Sequence, residues 1–291
     1  MKDGFKNYME KKLRLSENTI NSYYNDMKLF ENYYNLSYTE EFSKLVYIDV
    51  ALYKQNLLNK GLSPKTINRK LTAIRTYNKF LIQEGVQDDI VITERDYIKI
   101  QKFTLNPNII SVQDVNKIKH YAAQNQKNSK RDFCFVSILS YGGLRASEVT
   151  NIRLSDIKLD ERVLYIMGKG GKFRTVIINN IMYIAIVDYL VERNKIKTNN
   201  PYLFVSQKSV KTDKPVNRNF CNRILDNYKS CCNLKDLHPH LLRHFFGTNA
   251  IHNAGYSIDQ VAAQMGHSDI NTTKQYLATG KQDMMTLANK L

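Results

Sequence analysis

The sequence predicts a mainly α-helical protein of two domains: an N-terminal helical bundle, then a mixed, mainly helical domain with a small antiparallel β-sheet. Three observations carry that expectation. The 291 residues suffice for two domains that each bury a core. Apolar residues recur at helical spacing along much of the chain, whereas strand-like runs are confined to Val163–Met167 and Thr175–Ile178. The stretch from Val86 to Ile110 lacks clear periodicity and contains Asn106-Pro107. It marks the exit from the first domain, placing that domain at 1–97, a linker at 98–110 and the second domain at 111–291.

Taken in order, Ser16 is suited to cap a helix in which Ile20, Tyr23, Tyr24, Met27, Phe30 and Tyr34 form one apolar face. A second helix is expected from Tyr47 through Leu58, stopping near Gly61, and Ser63-Pro64 opens a third with proline in its first turn. With a fourth helix these make a four-helix bundle. On the third helix Ile67, Leu71, Ile74, Tyr77 and Leu81 share a face, and Lys65, Arg69, Thr72, Thr76 and Lys79 share the opposite one. No acid occurs between Leu62 and Gln83. That basic face suits a DNA backbone; the alternative is a face that is merely solvated.

Ser111 with Asp114 reads as a capping box that opens the second domain. An apolar helix, Phe133 to Tyr141, ends at Gly142-Gly143 and delivers Arg145 beside Glu148. The two strands are joined through Gly168-Lys169-Gly170-Gly171-Lys172, which puts Lys169 and Lys172 at a hairpin tip. Asn180 to Arg193 is helical, and Asn199-Asn200-Pro201 interrupts the chain before the apolar run Tyr202 to Val205. Ser257 and Gln260 box the start of a helix that Gly266 ends, which turns His267 toward the functional groups. Met284, Met285, Leu287, Ala288 and Leu291 form a narrow apolar stripe in the tail.

The 43 Lys and Arg against 27 Asp and Glu leave a formal charge of +16, which calls for a polyanionic partner and salt-sensitive binding. Residues 1–110 contribute +4 and residues 111–291 contribute +12, so the second domain should hold more phosphate. Cys134, Cys221, Cys231 and Cys232 form no C-x-x-C framework, and a reducing cytoplasm is expected. Residues 1–12 contain no apolar h-region, and the longest apolar run, Ile181 to Val187, is too short to span a bilayer, so no membrane partner is expected.

Functional chemistry concentrates in His238-Pro239-His240-Leu241-Leu242-Arg243-His244, Gly266-His267 and Tyr276, joined by Arg145 and Lys169 from upstream. A phosphodiester under attack gathers negative charge on its non-bridging oxygens, which a guanidinium fork holds through two parallel hydrogen bonds. Imidazoles donate to the same oxygens or move a proton near neutrality. A phenol is the candidate nucleophile. Forming its phenolate at neutral pH costs about 4 kcal/mol, which nearby cations must offset. His240 and His244 stand four apart with Cys231-Cys232 upstream, a spacing also compatible with zinc. Adjacent cysteines share one tetrahedral ion poorly, and Arg243 between the imidazoles repels a dication. Neither metal nor cofactor is therefore expected.

In order and spacing, Arg145, Lys169, His240, Arg243, His267 and Tyr276 resemble the catalytic set of the tyrosine recombinases, or integrase family. The motifs G-L-R-A-S-E, G-K-G-G-K, H-P-H-L-L-R-H, M-G-H-S-D and T-T-K-Q-Y occur in family order, and the subgroup they resemble is the bacterial Xer type. The resemblance implies a SAM-like, core-DNA-binding first domain and a catalytic second domain clamping duplex DNA. It implies attack by Tyr276 to give a 3′-phosphotyrosyl link and a free 5′-hydroxyl, with Lys169 as general acid to the departing oxygen. Lys172 would contact DNA and Glu148 would orient active-site groups. Because the ester bond energy is kept in the covalent link, no ATP is needed.

The resemblance also implies a homotetramer on two specific core sites, a dimer on each, with a related recombinase or accessory protein as a further partner. The tail would dock on a neighbouring subunit or on its own domain, and the enzyme would work at the nucleoid. No room precedes the first bundle for an arm-binding domain, which favours a simple core-site enzyme. Leu277-Ala278 after Tyr276 departs from the Thr-His usual in Xer relatives, and Phe246-Gly247 departs from the usual sequence after R-H. These departures count against a housekeeping chromosome-dimer role and leave a mobile-element or plasmid resolution role open, so the expected role is integration, excision or resolution of a mobile element, plasmid or chromosome dimer. A type IB topoisomerase shares the chemistry but reseals the same strand. A DNA-binding module without catalysis would leave the six residues vestigial.

Overall fold

The computed structural model describes residues 2–38, 42, 44–100, 110–124, 128–168, 171, 173–267 and 269–277. The chain divides into two compact units, Met1–Thr104 and Leu105–Leu291.

The first unit is a bundle of α1 (Lys2–Asn7, continued by a π-helical turn over Tyr8–Lys12), α2 (Glu17–Ser37), α3 (Tyr47–Asn59) and α4 (Pro64–Gln83). The hydroxyls of Ser16 and Ser63 accept from the amides of Thr19 and Thr66, each cap contributing about 1 kcal/mol. Ile67, Leu71, Ile74, Tyr77 and Leu81 are all buried, as their shared face predicts, and pack with Phe30 and Tyr53. Burying one such side chain contributes roughly 1.5–3 kcal/mol.

The opposite face of α4 is not uniformly available. Lys65 and Lys79 are exposed, but Arg69 pairs with Asp26 and donates to the Ser22 hydroxyl, while the buried Lys70 reaches the same Asp26 at 2.9 Å. Thr72 and Thr76 turn their hydroxyls back onto the carbonyls of Asn68 and Thr72.

Two side-chain amides tie down the aperiodic stretch after Gly85. Asn78 accepts from the Val91 amide at 2.7 Å and donates to the Asp89 carbonyl at 3.0 Å, and Asn68 makes the same paired contact with Ile98 at 2.8 Å each way. Each amide imitates a neighbouring strand, so the segment satisfies its backbone without periodicity. The expected linker, 98–110, thus opens on a residue bonded to α4; residues 101–109 lie outside the described residues.

The second unit contains α5 (Val112–Gln124), α6 (Ser129–Gly142), α7 (Ala146–Thr150), β1 (Ile157–Lys158), β2 (Val163–Met167) and β3 (Phe173–Ile177). It continues with α8 (Asn180–Asn194), α9 (Arg218–Cys232), α10 (Pro239–His252), α11 (Ile258–Met265) and α12 (Asn271–Lys274). Cys134, Phe135, Val136, Ile138 and Leu139 are fully buried, so α6 is covered on all sides and forms the axis of this core. Ser111 and Asp114 form the expected box ahead of α5.

The sheet is antiparallel in the order β1-β2-β3. Its third strand begins at Phe173, paired with Met167, two residues earlier than alternation alone indicates. β1 is two residues long, too short for any pattern to show. α9 has no counterpart among the expected elements, although Phe220, Cys221, Ile224, Leu225, Tyr228 and Cys232 recur at helical spacing and are buried. Lys169, Lys172 and the tail stripe Met284, Met285, Leu287, Ala288 and Leu291 lie outside the described residues. Among the described residues no helix is long and apolar enough to cross a membrane.

Candidate active site

Gly143 ends α6 with φ of 65°, and a Cβ there would lie 2.5 Å from Phe246. Only glycine fits this left-handed, crowded turn. The chain then buries Leu144 and places Arg145 at the N-cap of α7, where its backbone amide donates to Glu148 Oε2 at 2.7 Å and its Nη1 to Glu148 Oε1 at 2.8 Å. Arg174, from β3, donates to both carboxylate oxygens at 3.0 and 2.8 Å. Burial alone would raise the Glu148 carboxyl, but the hydrogen bonds from Arg174 and Arg145 outweigh it and hold it below the usual range.

His238 caps α10 through Nδ1, which accepts from the Leu241 amide at 3.1 Å, and Pro239 occupies the first turn. One turn on, Arg243 is 2% exposed and donates from Nη1 to the Gly143 carbonyl at 2.6 Å and from Nη2 to the Met265 carbonyl at 3.0 Å. Its Nη1 lies 3.8 Å from Glu148. Burial and the neighbouring Arg145 lower its pKa to about 10, so it stays cationic at neutral pH. His240 is exposed and its Nε2 lies 2.9 Å from that of His244 beneath it. Burial, then His240 and Arg243, push His244 down to about 4.

The Ser257–Gln260 box starts α11 and Gly266, with φ of 68°, ends it. A Cβ on Gly266 would sit 2.9 Å from the Arg174 side chain. His267 follows, bonded to Arg243 at 2.8 Å through Nε2 and to Thr273 Oγ1 at 2.8 Å through Nδ1. Burial, then Arg243 and Arg145, lower its pKa to about 4.

Tyr276 is 2% exposed and packs with Phe246, Ala250, Val261 and Met265. Its ring lies 13° from parallel to His267 at 6.3 Å and meets His244 at 5.2 Å. Its carbonyl accepts from His252 Nε2 at 2.9 Å. Gly247 makes room for the ring: a Cβ there would fall 2.7 Å from Tyr276.

Arg145, His240, Arg243, His267 and Tyr276 line one cavity of about 750 Å³, together with Asn219, Asn222 and Thr272. Glu148 lies behind its wall. Lys65, Arg69 and Lys79 belong to the first unit, and Lys169 and Lys172 are not described. Among the described residues no group of three or more His, Cys, Asp or Glu is placed to hold a metal ion. Arg174 was not anticipated, and Gly247 and Thr273 stood within quoted motifs without an assigned role. Arg174 is 26 residues from Glu148 and carried no motif signal. The cavity combines fixed guanidinium charge, the neutral imidazole of His267, the exposed imidazole of His240 and a phenol, a set suited to binding a phosphodiester and exchanging its ester partner.

Comparison with known proteins gives the family. The phage integrase family model matches residues 108–283, and the model of the phage integrase N-terminal SAM-like domain matches residues 3–85. The TnP I resolvase of Bacillus thuringiensis is 36% identical over 99% of this chain and 97% of its own length. A tyrosine recombinase XerC of Listeria welshimeri is 26% identical, covering 98% of this chain and 94% of that one. In fold the chain is similar to the XerH site-specific recombinase bound to palindromic difH substrate (TM-score 0.75, 20% identity, 92% of this chain and 78% of that one). It is likewise similar to the Tn1549 transposon integrase in complex with circular intermediate DNA (TM-score 0.72, 19% identity, 99% and 98%). The chain therefore belongs to the phage integrase family, the tyrosine recombinases, enzymes that cut and rejoin DNA strands.

Proposed function

We propose that the cavity binds the scissile phosphate of a specific duplex core site and that Tyr276 is the nucleophile. The observation that carries this reading is the convergence of Arg145, Arg243, His267 and Tyr276 on one cavity. Arg145 and Arg243 hold the non-bridging oxygens as charge accumulates on them. His240, exposed at the cavity, is the acid–base or phosphate-contacting group, and His267 orients the Arg243 fork. The Tyr276 oxygen gives up its proton, to His240 or to water, and bonds to phosphorus as the bond to the 5′ oxygen breaks. Lys169 supplies the proton that the 5′ oxygen takes up, and the DNA 3′ end remains as a phosphotyrosyl ester. A 5′-hydroxyl from a partner strand then displaces tyrosine, so rejoining needs no ATP. With Tyr276 only 2% exposed, attack requires the segment carrying it to shift toward the bound phosphate.

Exchange between two duplexes needs four tyrosines, so the working unit is a homotetramer on two sites, acting at the nucleoid in the cytoplasm. Resolution or transfer of a mobile element is its role: the TnP I resolvase is 36% identical where the XerC relative is 26%, and Leu277-Ala278 departs from the usual Xer ending.

Trapped adducts, sequenced to recover the core site, supply a duplex with a nick just beyond the cleavage point, from which the short 5′-hydroxyl strand diffuses away. Wild-type protein should accumulate a covalent adduct and transfer the strand to a second duplex, whereas Tyr276→Phe should bind but form none. An adduct in that variant moves the nucleophile elsewhere. Relaxation without transfer indicates a topoisomerase, and binding without any adduct indicates a non-catalytic protein.

A further inference from the structure

Glu148 is surrounded by more positive charge than it needs, and the division of its contacts is uneven. An ionised carboxylate offers about four acceptor positions. Arg174 fills two of them at 3.0 and 2.8 Å, the Arg145 backbone amide fills a third, and Arg145 Nη1 fills the fourth. Arg145 is thus held by one edge of its guanidinium. Its Nη2 makes only a long contact, 3.3 Å, to the Gly266 carbonyl, and its side chain remains 45% exposed on the cavity wall.

We propose that Arg174 is a positioning residue for the strand-cleavage reaction: by occupying two acceptor positions of Glu148, it keeps that carboxylate from drawing Arg145 into a bidentate pair and leaves Arg145 facing the phosphate. This rests on the reading of the cavity as the phosphate site. Without Arg174, a carboxylate whose side chain is 6% exposed would be left with two acceptor positions and little water to fill them. Arg145, whose Nη1 already bonds Glu148 Oε1, can complete the fork-to-fork pair that guanidinium and carboxylate favour, whereas Arg243, with Nη1 3.8 Å from Glu148, is held by the Gly143 and Met265 carbonyls. That pairing would cancel the Arg145 charge and turn it from the cavity.

Arg174 also reaches the far side of the site. Its Nε donates to the Gln264 carbonyl at 3.0 Å, and the Gln264 side chain accepts from the Ile177 amide at 3.3 Å and donates to the Ile177 carbonyl at 3.4 Å. β3 is thereby stapled to the end of α11, where the absence of a Cβ on Gly266 lets the Arg174 side chain lie against the turn that presents His267. One side chain sets the positions of a phosphate-binding arginine and of the imidazole opposite it.

The test is single-turnover adduct formation on the nicked duplex at saturating protein, with DNA affinity and melting temperature measured in parallel on the full chain. Arg174→Gln should keep its DNA Kd within about threefold and lose about 10- to 100-fold in cleavage rate, the range for a displaced oxyanion donor. Adding Glu148→Gln to that variant removes the charge that captures Arg145, so the double variant should cleave at least about fivefold faster than Arg174→Gln alone. A purely structural staple predicts no such recovery. Should Arg174→Gln not fold, Arg174→Lys is read instead: it keeps the charge but not the fork, and its rate should fall between those of wild type and the Arg145→Ala variant. A rate within threefold of wild type in either folded variant, or a double variant no faster than the single, overturns the proposal. Wild-type protein that forms no adduct overturns the phosphate-site reading instead.

Discussion

The Nε2 of His267 lies 2.8 Å from Nη2 of Arg243, and because a guanidinium only donates, the imidazole accepts there and carries its proton on Nδ1, toward Thr273 Oγ1. Protonating His267 would set one N–H against another beside Arg145 and Arg174, consistent with its pKa of about 4. His244, pushed down to about 4 by burial, His240 and Arg243, is held neutral in the same way. In the unfolded chain both imidazoles take up protons near pH ~6.5. Between that value and about 4 the unfolded state binds more protons than the folded one, so stability should fall as pH drops through the window. A melting series on the full chain checks this, with the decline beginning below pH ~6.5 and flattening in a His244→Asn, His267→Asn variant. A melting temperature that is flat across the window in wild type would mean the rings do not stay neutral.

The two arginines proposed to bind phosphate, Arg145 and Arg243, should separate under mutation. Arg243 is 2% exposed and satisfies the Gly143 and Met265 carbonyls, so Arg243→Ala strips two buried acceptors, at about 1–3 kcal/mol each. Arg145 is 45% exposed, and Arg174 remains to neutralise Glu148 when it is removed. Each alanine variant should cost on the order of 10²–10³ in cleavage rate. Only Arg243→Ala should also melt early. Equal melting losses in the two variants would contradict the division of labour seen here.

What could be read from the sequence followed the reach of local rules. Ser16, Ser63 and the Ser257–Gln260 pair announced three helix starts because a cap is a contact over three residues. The cavity residues were legible because phosphate chemistry restricts residue types and five motifs fix their order. The Glu148–Arg174 pair was not, since its two ends meet only after the sheet folds against α7, and no periodicity encodes a contact between strand and helix. β1 was too short to alternate, and the paired amide contacts of Asn68 and Asn78 leave no trace in hydropathy. The missed α9 differs in kind: its apolar spacing was present, but the polar residues between made it resemble the loops around it.

Gly247 gives a direct way to disturb Tyr276, the proposed nucleophile. Alanine there would place a methyl 2.7 Å from the Tyr276 ring, closer than nonbonded carbons tolerate, so the ring or its short helical segment must move. Gly247→Ala should bind DNA normally and form adduct up to about tenfold faster, because crowding destabilises the docked position that the ring must leave before it attacks. The contact between Tyr276 and His244 should loosen with it, which histidine NMR shifts would report. An unchanged adduct rate would mean that the docked position of Tyr276 does not govern its attack.

In the first unit, the basic face of α4 divides into two exposed lysines and an arginine engaged in an ion pair. Lys65 and Lys79 are exposed, whereas Arg69 pairs with Asp26, which is itself 3% exposed and shared with the buried Lys70. Replacing Lys65 and Lys79 by glutamate should weaken DNA binding across all sequences and reduce the slope of log affinity against log salt by about one per lysine, with melting unchanged. Arg69→Met should do the opposite, lowering the melting temperature because Asp26 keeps only one cationic partner, and changing the salt slope by less. Binding titrations at several salt concentrations, run beside thermal melts, separate the two outcomes. If Arg69→Met shifts the slope as far as the lysine variants do and leaves melting untouched, Arg69 releases Asp26 for DNA and the whole face acts together.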